Sequence, residues 1–160
     1  MSAPFAAGTP FAAGSPERER LERLLAVPSI SADPASGPAM AEARALLADW
    51  LAAIGFTRIE ELDGGGHPAL AAEWLHAPGK PTLLVYGHYD VQPPDPLALW
   101  ESPPFVPTER DGRLYARGAS DDKGPVAAAL FALERLMAES GRLPVNVKIL
   151  LEGEEEVGSR

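Results

Sequence analysis

Between Ser15 and Gly55 the apolar residues recur every three or four positions. Ser15 and Pro16 have the form of an N-cap and a first helical residue, Leu21, Leu24 and Leu25 follow at helical spacing, and Val27-Pro28 stops the pattern. A second helix is predicted from near Pro38, with Met40, Ala43, Leu47, Trp50, Leu51 and Ile54 on one face and Gly55 closing it. Both helices read as packing elements. Strand-like segments follow at 56–61 and 69–75, joined across the Gly64-Gly65-Gly66 turn. Residues 82–86 form a short apolar run without polar alternation, which predicts a parallel strand covered on both faces.

A Pro-rich connection then carries Asp111-Gly112, a hairpin turn signal. Val126, Leu130, Leu133 and Met137 share the face of a third helix that Gly141 ends, and residues 145–151 are a further β-rich apolar run. Strand, crossover helix and strand make a βαβ unit, with the two strands parallel and the connection right-handed. The fold class expected is therefore α/β, a βαβ-containing sheet flanked by helices. In such a unit the C-terminal strand ends and the helix N-terminus share one sheet edge, where α/β proteins place ligands. His88 and Asp90 follow the first strand, Asp121 and Asp122 precede the helix, and Glu152, Glu154, Glu155 and Glu156 follow the second. Three acidic segments distant in sequence are thus predicted to converge.

Composition narrows what that convergence can be. The chain has 160 residues, 46% of them hydrophobic, enough for one ordinary core and one domain or a large piece of one. A net charge of -9, with 14 Lys and Arg that form no block, argues against a nucleic-acid partner. No apolar run approaches the roughly 20 residues of a bilayer helix, which argues against a membrane. The opening "MSAPFAAGTPFAAGSP" lacks the basic and apolar regions of a secretory signal, so residues 1–15 read as a flexible tail and the location expected is cytoplasmic. Cysteine is absent, so a metal would be held by carboxylate oxygen and imidazole nitrogen. Clustered carboxylates repel one another unless a cation holds them, and carboxylates with one imidazole suit zinc, manganese or cobalt, with shared carboxylates building a two-metal hydrolytic site.

Other readings fit less well. "GASDDKGP" has Gly and Lys near a helix start, but a phosphate cradle needs Gly-Lys followed by Ser or Thr, and two aspartates would repel phosphate. The spacing lacks an EF-hand pattern, and calcium does not call for imidazole. His67 and His76 have no acidic partners at metal-site spacing and read as surface histidines. Lys123 could position the loop or cap the acidic cluster, and Trp100 and Phe105 could shape a rim or simply pack.

"GHYDVQPP", "LYARGASDDKGP" and "EGEEEVGS", in that order, resemble the successive signatures of the co-catalytic di-zinc peptidases. That family includes carnosinase-like and cytosolic non-specific dipeptidases, acetylornithine deacetylase, succinyl-diaminopimelate desuccinylase and aminoacylase, and the dipeptidase branch is the most similar. The resemblance implies two zinc ions, with His88 a ligand of one, Asp121 bridging both and Glu156 a ligand of the other. Asp90 would orient His88 from behind. Glu155 would be the general base that takes a proton from the attacking water and passes it to the leaving amine. Strict strand alternation would set Glu154 and Glu156 on one side and Glu155 on the other, leaving their roles open; the family pattern Glu-Glu-x-Gly-Ser selects Glu155 and Glu156. The Asp121-Asp122 peptide is implied to be cis.

Members of the family continue further. The resemblance places an Asp or Glu ligand, a His ligand and a lid or dimerisation domain downstream. Residues 16–160 are therefore expected to be an incomplete N-terminal portion of the catalytic domain, with little or no peptidase activity alone and a last strand that leaves an unpaired apolar edge. The function expected is metal-dependent hydrolysis of dipeptides or short peptides by a protein that is homodimeric at full length. The alternatives are an N-acyl amino acid deacylase of the same family and a non-enzymatic metal-binding or interaction fragment.

Overall fold

The computed structural model describes residue 12 and residues 14–159, so the expected N-terminal tail falls almost wholly outside the described residues. Helix α1 spans Pro16–Ala26, and the Ser15 hydroxyl accepts the Arg18 backbone N–H at 3.1 Å, the N-cap bond its sequence calls for. Helix α2 spans Gly37–Ile54 and ends where Gly55 turns left-handed at φ 105°. The six apolar residues predicted on one face of α2 are all buried.

Strand β1 (Arg58–Leu62) pairs antiparallel with β2 (Ala69–Trp74). Strand β3 is Thr82–His88, and β4 (Thr108–Arg110) and β5 (Arg113–Tyr115) form a separate hairpin. Its turn residues Asp111 and Gly112 both have positive φ, as the tightest hairpin turns require. Helix α3 (Lys123–Ser140) leads to β6 (Asn146–Glu152).

The main sheet has the order β1-β2-β6-β3, with β6 antiparallel to β2 and parallel to β3. The β3–α3–β6 segment is the expected βαβ unit. Leu70, Ala72 and Trp74 of β2 and Val147, Ile149 and Leu151 of β6 alternate into a core shared with Leu24, Leu51, Leu130 and their neighbours from the three helices. Each such fully buried aliphatic side chain contributes about 1.5–3 kcal/mol relative to exposure.

Two expectations about the sheet are corrected. Strand β3 is not covered on both faces: it pairs with β6 alone among the described residues, and Leu83, Leu84 and Tyr86 are 51%, 58% and 55% exposed. An apolar run records the surface a strand could bury, not whether a neighbour is present. The unpaired apolar edge does not belong to the last strand either, because β6 is inserted between β2 and β3 and paired on both sides. That edge belongs to β3. No described helix is long and apolar enough to cross a membrane.

Candidate metal centre

Parallel pairing sets His88 opposite Glu152, so β3 and β6 end at the same level and their following segments leave one edge of the sheet together. Asp121 and Asp122 reach that edge from the turn before α3, through a peptide bond that is cis as the resemblance implied. The imidazole of His88, a 5% exposed residue, is the centre of the group. Its Nε2 lies 3.0 Å from Asp121 Oδ1 and 3.9 Å from Glu155 Oε2. Its Nδ1 lies 3.3 Å from Asp90 Oδ1 and 3.1 Å from the Asp90 carbonyl oxygen. His88, Glu155 and Glu156 each offer a ligand atom within 4.8 Å of the others, and Asp121 meets that trio through His88.

Strand alternation does not decide which glutamates face the imidazole. After β6 the chain turns into a short 3-10 segment, Glu155–Val157, in which successive residues are about 120° apart and not on opposite faces. Glu155 and Glu156 can therefore both turn towards His88. Glu154 turns away and accepts the His67 backbone N–H at 3.1 Å. Gly153 has a local reason: a side chain there would collide with the Tyr89 ring and hydroxyl. Gly87 has one too, since a Cβ would stand 2.7 Å from Asp122 Oδ2 and from Val126 Cγ2.

Asp90 has no exposed surface. One oxygen faces His88 Nδ1; the other accepts the Ser31 hydroxyl at 2.6 Å and the Glu156 backbone N–H at 3.0 Å. Burial works against its charge, but His88, Ser31 and the Glu156 N–H outweigh it and hold the carboxyl below its ordinary range. Burial likewise opposes a charged imidazole, yet Asp90 and Asp121 raise His88 to about 9. Asp122 is pushed up by burial, partly offset by the His88 N–H that its carboxylate accepts at 3.2 Å. The carboxylates thus face one proton-bearing ring, and a divalent cation answers the same electrostatic demand. The donor set, imidazole and carboxylate without thiolate, fits zinc, manganese or cobalt.

Gln92 and Tyr86 join the group although the sequence reading gave neither a role. Gln92 donates from Nε2 to the Glu156 carboxylate at 2.8 Å and to its carbonyl at 3.1 Å. The Tyr86 hydroxyl donates to the Glu152 carboxylate, which raises the phenol to about 12. Lys123 does not cap the acidic cluster: it is fully buried and donates to the Leu24 and Val27 carbonyls at 3.0 and 2.7 Å, closing the C-terminal end of α1. Burial lowers its amine to about 7. His67 and His76 join no metal-ligand group among the described residues. Trp100 packs under Arg117 and donates to the Pro94 carbonyl at 2.8 Å.

Residues 84–160, which contain all of these motifs, match the model of Peptidase family M20/M25/M40. The chain belongs to that family. Its relatives include a succinyl-diaminopimelate desuccinylase of Delftia acidovorans, 41% identical over 140 residues, covering 84% of this chain and 34% of the relative. A Beta-Ala-His dipeptidase of Rattus norvegicus is 43% identical over 126 residues, covering 72% of this chain and 25% of the relative. Among solved structures of the M20 family's fold, human carnosine dipeptidase 1 superposes with a TM-score of 0.82 at 38% identity, covering 89% of this chain and 32% of that one. The chain spans about a quarter to a third of the length of these M20 relatives.

Proposed function

We propose that the full-length protein hydrolyses the peptide bond of dipeptides or short peptides at a two-zinc centre, with manganese or cobalt as the alternative ions. The observation that carries this reading is the meeting of His88, Glu155, Glu156 and Asp121 at the shared end of two parallel strands in an M20-family chain. His88, Asp121 and Glu156 would hold the ions. Divalent cations there would supply Lewis-acid polarisation of the scissile carbonyl and would ease deprotonation of water.

The chain's own residues do the rest. Glu155, its side chain 43% exposed, is open to solvent yet 3.9 Å from His88, and so can take a proton from water and return it to the leaving amine. Asp90 holds the Nδ1 side of His88, which presents Nε2 to the ions and sets the tautomer.

A second reading, deacylation of an N-acyl amino acid, is supported by the 41% identity to a desuccinylase over 140 residues. A panel of dipeptides and N-acyl amino acids assayed with the zinc-loaded full-length protein separates the two. Glu155→Gln should retain bound zinc and lose about 100-fold to 10,000-fold in kcat. Unchanged turnover in that variant sinks the assignment of the base, and turnover of neither substrate class sinks the hydrolase reading in favour of a metal-binding role.

A further inference from the structure

The buried Asp90 carboxylate touches one proposed ligand residue of each ion, because it faces Nδ1 of His88 and accepts the backbone N–H of Glu156. What fixes that carboxylate comes from a distant part of the chain. The segment after α1 lies against the end of β3: Ile30 bridges to Val91, the Val91 N–H donates to the Ser29 carbonyl at 2.9 Å, and the Ser29 hydroxyl donates to the Tyr89 carbonyl at 2.7 Å. These three contacts dock the segment without any help from Ser31. The Ser31 hydroxyl is left to donate to Asp90 Oδ2 at 2.6 Å, which it must do as the donor because an ionised carboxylate only accepts.

We infer that Ser31 is a positioning residue of the metal centre, its hydroxyl locking the rotation of the Asp90 carboxylate so that His88 and Glu156 are both held ready for their ions. This rests on the two-metal reading above. Without the hydroxyl, Oδ2 keeps only the Glu156 N–H, and the carboxylate can swing about its Cβ–Cγ bond, carrying Oδ1 away from His88 Nδ1. Partners behind a ligating histidine tune metal affinity by about 10–100-fold. Ser31 lies outside residues 84–160, the part that matches the family model, and no local periodicity marks it.

The test is zinc affinity of the full-length protein by competition with a chromophoric chelator, paired with thermal unfolding of the metal-free protein, for wild type, Ser31→Ala and Ser31→Thr. Ser31→Ala should bind zinc about 10–100-fold more weakly while its metal-free form stays folded at the assay temperature with a modestly lowered unfolding temperature, and Ser31→Thr should restore most of the affinity. Affinity in Ser31→Ala within twofold of wild type, or a loss that Ser31→Thr does not recover, overturns the inference. So does a lowered unfolding temperature with unchanged affinity, the mark of a merely structural serine. If wild type itself takes up no zinc, manganese or cobalt, the functional reading falls and this inference falls with it.

Discussion

Asp90 Oδ2 accepts the backbone N–H of Glu156 at 3.0 Å, so a buried side chain at the end of β3 fixes the backbone that follows β6. Asp90→Asn preserves shape but puts an amide where one carboxylate oxygen faces His88 Nδ1 and the other accepts the Ser31 hydroxyl and the Glu156 N–H. The NH2 group must then either oppose those two donors or stand against His88 Nδ1 without the charge that faces it now. The expected cost is about 1–3 kcal/mol of stability by urea denaturation, with zinc affinity down about 10–100-fold by competitive titration. Wild-type affinity in this variant would contradict the proposed link between Asp90 and His88.

Lys123 ties α3 to the end of α1, 96–99 residues earlier in the chain. Replacing it with Met keeps the aliphatic stem in its buried path but removes the donor to the Leu24 and Val27 carbonyls. The Leu24 and Val27 carbonyls keep the backbone N–H groups of Val27 and Ser29 but each loses the bond from the amine, a net cost of about 0.5–1.5 kcal/mol per bond. Chemical denaturation should therefore show Lys123→Met well below wild type, and a variant as stable as wild type would show that water replaces the amine.

Among the described residues β3 has a free edge, which exposes Leu83, Leu84 and Tyr86 beside a row of backbone groups without a strand partner. Such an edge favours strand addition by another chain. The 160-residue chain should self-associate as its concentration rises, and Leu84→Lys should lower that association in analytical ultracentrifugation. Equal association of the two would move the contact surface elsewhere.

Glu73 and Lys148 pair across β2 and β6 at 2.8 Å, and the hydrogen bond from Lys148 lowers the Glu73 pKa. A carboxyl whose folded value is depressed stabilises the fold above its unfolded value and loses that share as pH falls through the folded one. The stability difference between wild type and Lys148→Met should accordingly be present at neutral pH and close as the solution is taken below the ordinary carboxylate range. A gap that stays constant down to acid pH would assign it to packing of the lysine stem.

Much of the fold could be read locally. The three helices, their caps and buried faces, the hairpin at Asp111-Gly112 and the βαβ unit follow from apolar spacing and from turn residues acting within a few positions of themselves. The βαβ topology also placed His88, Asp121 and the glutamates on one edge, because strand ends and helix starts are set by chain direction. The choice of Glu155 and Glu156 came from motif resemblance. Its spatial cause is a 3-10 turn that strand alternation does not describe.

The sequence by itself determined the elements, their order and the edge at which the acidic segments meet, since each depends on neighbours within a turn or two of the chain. Only the tertiary structure decided that β6 is inserted beside β2, that β3 is left at the edge, and that Ser31 and Lys123 act on segments 59 and 96–99 residues away. Those contacts depend on which surfaces pack together, and a single hydroxyl or buried amine that finds its partner across the core leaves no periodic trace in the chain.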